Sequence, residues 1–495
     1  MRGTVLVRSV RRWIVLLLAM LLLLSLLRQS LLIRRIWFDG ENSVDESESL
    51  FALTRLRTGA ALYLDYSQPP HVITCYMPLF YWATEWTTRT ARSWWQMVVQ
   101  ARWNVYACWV GIGVVIFASA RQARCQWPAA LLAALLWGSS ELGQEWANSL
   151  RPDAAALFFS LMALWVYERR RTGAHLALSV LLLAGAALYK HTVLAPLIII
   201  LWEELADHHY LRAVAALAAW GGTMAIVAIS AQSVTGGLFS LNVYTSLAVA
   251  QSGSWPWVLL VTCLALGAAA LWGAALACVS IPQRRGVTLW KRYFVISLLL
   301  AFARSRIFGA WTNHYLEPFA AGCVLTGVLV QDLLARSPEE AVHWACLCWL
   351  MAAVGITSTL LIYQAPEVIR SEVDHEDRQW KWFVSLIGRF DGPVLSEDGY
   401  VTVRSGRIPY MVDANKFAHL QSDKKFDDTR LLHMIETGGF AAIVTRVAID
   451  ANLRPTWAFP PRWLAPMRRR YRLAATCPVA ERDATFYVYL PEEGR

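Results

Sequence analysis

Three carboxylates stand together in Asn42-Ser43-Val44-Asp45-Glu46-Ser47-Glu48-Ser49. A carboxylate such as Asp45, held at a membrane face, can act as a general base that takes a proton from an acceptor hydroxyl. The same residues also read as a helix start. Ser43 as cap with Glu46 three residues on makes a capping box, and acids are favoured there by the helix dipole. The readings are compatible, because Glu46 can cap while Asp45 faces a cavity. A second candidate is Arg151-Pro152-Asp153, which opens an apolar run just after Glu141 and Glu145. Proline and aspartate suit a helix N-terminus, yet an Arg–Asp pair entering a bilayer is costly and usually faces a cavity or itself. Lys190-His191-Thr192 separates two further apolar runs. Lys190 can snorkel to an interface or stabilise a departing phosphate. Arg304, Arg306 and the stretch Asn313-His314-Tyr315-Leu316-Glu317 are similarly placed, although a lone histidine also reads as a structural hydrogen bonder. Tyr63-Leu-Asp65-Tyr-Ser-Gln68-Pro69-Pro70-His71 is held extended by its prolines. The aromatics of Pro78-Leu-Phe-Tyr81 after it suit a lipid chain or a sugar ring.

The elements that must position these residues are membrane helices. The chain has 495 residues, of which 56% are hydrophobic and only 17% charged, where soluble domains carry about a quarter. About eleven spans are expected by length and hydropathy, near 13–33, 103–120, 128–141, 153–168, 174–190, 192–206, 211–231, 256–279, 293–309, 316–335 and 341–363. Arg2, Arg8, Arg11 and Arg12 place the N-terminus in the cytoplasm. Alternation then puts the arginine loops at 121–124, 168–171 and 283–292 inside, and Asp45, Asp153, His191 and His314 outside. The net charge of +10 is thus the positive-inside pattern and calls for no nucleic acid. The 25 tryptophans suit membrane interfaces. None of the nine cysteines forms a CxxC, so neither a zinc site nor a disulfide framework is indicated. The first apolar run is too long for a signal peptide. Residues 34–101 form an outer loop with one or two helices on the membrane surface. Residues 364–495 are charged, with β-rich runs at Pro393–Ser396, Ala441–Thr445 and Thr485–Leu490. They read as a small outer α/β domain following a transmembrane domain of residues 1–363.

In order, the motifs D-E-x-E, G-x-x-L-Y-x-D, P-P, P-L-F-Y, R-P-D, K-H-T and N-H-Y-x-x-E resemble bacterial membrane glycosyltransferases of the GT-C superfamily. These are relatives of the protein O-mannosyltransferases and of the lipid A aminoarabinose transferase. The C-terminal V-L-S-E-D and G-R-x-P-Y-x-V-D are similar to the outer domain of several members. The resemblance implies a polytopic all-α membrane protein of GT-C type with a small α/β domain, in a bacterial inner membrane with its site facing the periplasm. It implies a sugar donor on polyprenyl phosphate and a lipid, glycan or protein acceptor, joined by inverting displacement. Asp45 maps onto the base and Glu46 completes the acidic pair, with Asp153 nearby. Lys190, His191, Arg304 or His314 supplies cationic help to the phosphate, and Tyr63 lies in the donor region. No Gly-rich nucleotide fingerprint follows a strand, which fits a lipid-linked donor. Some relatives bind a divalent metal, for which Asp45, Glu48 and His191 offer ligands; no separate metal motif is present. The chain departs from the pattern at Ser47 and Ser49, where relatives carry an aromatic or Ala-Tyr, and at Lys190-His191, where they often carry Lys-Gln. Two rival classes are a flippase of lipid-linked sugars and a non-catalytic glycan-assembly protein. The first is disfavoured because neither internal repeats nor paired broken helices are evident, the second by the intact Asp45-Glu46.

Overall fold

Helix starts follow local capping chemistry. The computed structural model describes residues 2–43, 46–140, 146–248, 268–284, 286–305, 312–335, 375–449, 459–479 and 484–492. Ser93 accepts from the Gln96 amide at 3.2 Å while Gln96 Oε1 accepts from the Arg92 amide at 2.8 Å, closing the first turn of Trp94–Gln122 from both sides. Proline at the first turn starts Trp127–Gly138 and Ala195–Ala206. The chain divides into two units, one of residues 1–37, 76–230 and 250–364, the other of residues 38–75, 231–249 and 365–495.

The first unit is helical. Its elements are α1 (Arg2–Ile36), α3 (Pro78–Thr87), α4 (Trp94–Gln122), α5 (Trp127–Gly138), α6 (Asp153–Arg170), α7 (Gly173–Tyr189), α8 (Ala195–Ala206), most of α9 (Tyr210–Val234), α11 (Ala268–Ser280), α12 (Val287–Arg304) and α13 (Leu316–Ala335); α2 and α10 belong to the other unit. Trp109 of α4 stacks on Trp137 of α5 with centroids 4.0 Å apart, and Phe319 of α13 lies 5.6 Å from Trp137. Trp137 Nε1 also donates to the Trp109 carbonyl at 3.1 Å, so the polar edge of the ring is satisfied inside the apolar core. Backbone approach here depends on small residues. A Cβ on Gly322 would lie 2.8 Å from the Ala270 carbonyl oxygen, and one on Gly327 2.9 Å from that of Ala129. Such close contact is how helices associate where no water drives them together.

By length and composition, three described helical stretches can cross a membrane: Trp94–Gln122, Tyr210–Val234 and Thr312–Leu333. Together with the apolar composition they mark a membrane protein. Of the expected spans, 341–363 and the first half of 256–279 lie outside the described residues. The break expected at Lys190-His191-Thr192 is present: α7 ends at Tyr189, the Val193 amide donates to the Lys190 carbonyl at 3.2 Å, and α8 begins at Ala195. The arginine loop at 168–171 takes part in an ion-pair network. Arg171, in the left-handed region at φ 37°, binds Glu168 at 2.6 Å, Glu203 at 2.9 Å and Asp207 at 3.2 Å. Arg292 also pairs with Glu203, and Arg212 lies 3.0 Å from Glu204. This network ties α6, α8, α9 and α12 at one end.

The second unit combines α2 (Glu46–Arg57) and α10 (Leu238–Ala248) with α14 (His375–Gly388), α15 (Gly399–Arg404), α16 (Ala414–Ser422), α17 (Thr429–Glu436), α18 (Pro461–Arg470) and a four-stranded sheet. The strands β1 (Val394–Ser396), β2 (Ala442–Thr445), β3 (Tyr471–Val479) and β4 (Ala484–Pro491) run in the order β1-β2-β4-β3. β1 and β2 are parallel and the other pairs antiparallel. Three of the four match the β-rich runs of the sequence. β3 was not expected, because Arg468-Arg469-Arg470 before it reads as helix and its Ala474-Ala475 and Pro478 are poor strand formers.

Candidate active site

In the first unit the polar groups gather where helices begin and end. Asp153 is the first residue of α6, at the positive end of the helix dipole. Its Oδ1 accepts from Lys190 Nζ, at the end of α7, and from Asn313 Nδ2 at 2.9 Å; its Oδ2 lies 3.5 Å from Arg151 Nε. The carboxylate is nearly buried, at 5% exposure. Arg151 stands over the Trp146 ring at 4.5 Å, and Trp146 Nε1 donates to Thr312 Oγ1 at 3.0 Å. Further around the cluster, Tyr293 donates to Glu317 Oε1 at 3.2 Å. The expected residues Asp153, Lys190, His191, Arg304 and His314 therefore come together from the ends of four elements. Burial, with Lys190 and Arg304 beside it, pushes the His191 imidazole down to about 4, so it is neutral at pH 7. The Arg304 side chain makes no hydrogen bond or ion pair among the described residues, although Glu317, His191 and His314 feel its charge. Among the described residues, Lys190, Arg151 and Arg304 in this cluster face the carboxylates of Asp153 and Glu317. Among these described residues the cations outnumber the carboxylates by one while the histidines are neutral. Asn313 was legible only as part of N-H-Y-x-x-E, and its role of holding Asp153 has no local signature.

In the second unit the acid motif opens α2. Asp45, with Glu141, Glu145 and Arg306, lies outside the described residues. Glu46 is buried, and its Oε2 accepts from the Asn42 amide at 2.7 Å. Glu41 Oε1 accepts from the Ser47 amide at 3.0 Å. In place of the expected capping box on Ser43, Glu41 caps the Ser47 amide and Glu46 reaches back to Asn42, one residue before Ser43. Glu48 is buried too, with Oε1 2.6 Å from Lys416 Nζ and Oε2 3.9 Å from Cys75 Sγ. Tyr63 is buried edge-on to Phe239 at 5.4 Å, and burial raises its phenol far above the ordinary range. Among the described residues no three His, Cys, Asp or Glu side chains converge to hold a metal ion.

No protein-family model matches the chain, and no curated protein matches it in sequence. Solved structures do resemble it. ArnT from Cupriavidus metallidurans bound to undecaprenyl phosphate has 13% identity and a TM-score of 0.56, over 96% of this chain and 98% of that one. The archaeal oligosaccharyltransferase AglB from Archaeoglobus fulgidus, in complex with an inhibitory peptide and a dolichol phosphate, has 11% identity and a TM-score of 0.54. That match covers 87% of this chain and 69% of AglB. The same archaeal enzyme tethered to an acceptor peptide containing the NVT sequon gives 11% identity and 0.54, over 93% and 72%. The mostly helical architecture with a small sheet is therefore a fold similar to that of these solved structures.

Proposed function

We propose that this protein is a GT-C type membrane glycosyltransferase that moves a sugar from a polyprenyl-phosphate donor to a lipid, glycan or protein acceptor. The observation that carries this reading is the excess of cations over carboxylates among the described residues of this cluster, where Arg304 makes no direct ion pair beside the Asp153–Lys190 pair. A buried excess of positive charge at helix ends suits a phosphate monoanion or diester, which would accept charge-assisted hydrogen bonds there. The solved structures of the same fold with undecaprenyl phosphate and dolichol phosphate support the lipid carrier. In the reaction the acceptor oxygen bonds to the anomeric carbon while the carbon–oxygen bond to phosphate breaks, with inversion. The electron pair leaves on the polyprenyl phosphate, where Lys190 and Arg304 meet the growing charge. By the sequence motif, the Asp45–Glu46 acids are the residues assigned to take the acceptor's proton. The site and the domain of residues 364–495 lie on the extracytoplasmic face in this reading.

The test is sugar transfer from a panel of radiolabelled polyprenyl-phosphate sugars by purified protein, with Asp45→Asn alongside. Loss of general-base help lowers turnover by about 10²-fold or more, while the variant keeps its unfolding temperature. Equal turnover of both proteins removes Asp45 from the role of base. Failure of the wild type to bind any polyprenyl phosphate overturns the transferase reading.

A further inference from the structure

Residues 38–75 of the second unit are pinned to residues 404–430 at four places. Arg404 grips Asp39 with two hydrogen bonds of 2.7 Å. The His71 amide donates to the Tyr410 carbonyl at 2.8 Å, and the Val412 amide to the His71 carbonyl at 3.2 Å. Arg430 reaches Gln68 Oε1 at 3.3 Å. The fourth pin differs from the others because both its charges are buried. Lys416, 7% exposed, donates to Glu48 Oε1 at 2.6 Å and lies 3.6 Å from Asp413, while Glu48 is 2% exposed. Glu48 is in the first turn of α2, two residues past Glu46. Lys416 is in the first turn of α16, where Asp413 caps by accepting from the Lys416 amide at 3.0 Å.

Burying this pair costs desolvation that its mutual attraction only partly returns, so stability alone gives little reason to keep it. A fixed orientation does give one, because a short buried contact sets the azimuth and height of one helix turn against another. We propose that Lys416 is a positioning residue for the acid motif. Through Glu48 it holds the first turn of α2, and with it the Glu46 carboxylate, in one orientation. This rests on the reading of the acid motif as the site of proton removal. Lys416 then acts on transfer through Glu48 and the helix turn that it holds.

The test compares Lys416→Met, Glu48→Gln and the double variant Glu48→Gln/Lys416→Gln, in which two neutral amides of similar length can hydrogen-bond. Hydrogen exchange of the amides of residues 46–51 reads the orientation directly, and transfer kinetics read its effect. Lys416→Met should speed that exchange by about tenfold or more, because buried Glu48 loses its cation at 2.6 Å and the turn opens locally. It should also lower kcat about tenfold while the donor KM stays within twofold. The double variant should restore most of both. Unchanged exchange at residues 46–51 in Lys416→Met overturns the proposal, as does faster exchange with full kcat. Faster exchange that the double variant reverses, in a protein that turns over no donor, keeps the clamp and sinks the transferase reading instead.

Discussion

Replacing Arg304 by methionine separates ligand binding from folding more sharply than any other change in the first unit. The side chain makes no hydrogen bond or ion pair among the described residues, so its removal breaks no contact that holds those residues together. Methionine keeps most of the apolar stem, and because buried Glu317 loses a nearby charge but no direct ion pair, the stability cost should stay well below that of breaking a buried pair. If the phosphate of the donor rests on Arg304, the variant forfeits hydrogen bonds to a charged group worth about 1.5–3 kcal/mol. That corresponds to a loss of roughly 10- to 150-fold in affinity at about 1.4 kcal/mol per decade. The assay is equilibrium binding of radiolabelled undecaprenyl phosphate to purified protein in detergent, with thermal unfolding measured on the same samples. Lys190→Met is the contrast. It strips Asp153 of a buried partner, and breaking such a pair costs about 3–5 kcal/mol, so unfolding temperature should fall along with binding. An Arg304→Met variant that binds undecaprenyl phosphate like the wild type would refute the assignment of the surplus charge to phosphate.

Two other perturbations test the architecture. His71 is buried against the rings of Tyr410, Phe417 and Phe426 at 5.0–5.6 Å, and its Nδ1 donates to the Tyr66 carbonyl at 2.8 Å. Burial, helped by nearby Arg430 and opposed by the Tyr66 carbonyl and by Asp65, holds its pKa below the ordinary 6.5. Between that lowered value and 6.5 the unfolded chain binds more protons than the folded one, so stability falls as pH drops through this window. Thermal unfolding followed from pH 7.5 to 5 should show that slope, and His71→Phe should flatten it; an unchanged slope in the variant contradicts the assignment. In the helical unit, Gly322→Val forces carbon atoms into the Ala270 backbone, an overpacking expected to cost about 1–3 kcal/mol. A thermal midpoint equal to the wild type's would show that α11 and α13 are not packed as described.

What the sequence made legible was local. Charges at the edges of apolar runs stand out because a bilayer penalises them, and Asp153, Lys190, Arg304 and His314 were all visible for that reason. The helix break at Lys190-His191-Thr192 and three strands of the sheet were readable from pattern as well. What stayed hidden was pairing at long range. Nothing near Lys416 marks it as the partner of Glu48, since Asn415-Lys416-Phe417 reads as an ordinary amphipathic turn. Glu41 lies in a polar stretch in which any acid is unremarkable, yet it caps α2 where Ser43 seemed the better candidate. The segment 38–75 reads as a loop of the membrane part, whereas its contacts group it with residues 365–495. A charged side chain declares its cost in the sequence but not the residue that offsets it.

The pin between Glu48 and Lys416 also sets a timetable. The two residues are 368 positions apart, and a ribosome adding about 5–20 residues per second needs roughly 20–70 s to make that length. Throughout that interval the opening turn of α2 exists without its anchor, with carboxylates destined for burial still hydrated. A nascent chain halted before Lys416 would carry every span up to α13 and still lack a finished acid helix. Completion of the second unit therefore waits on the synthesis of Lys416, long after α2 itself has been made.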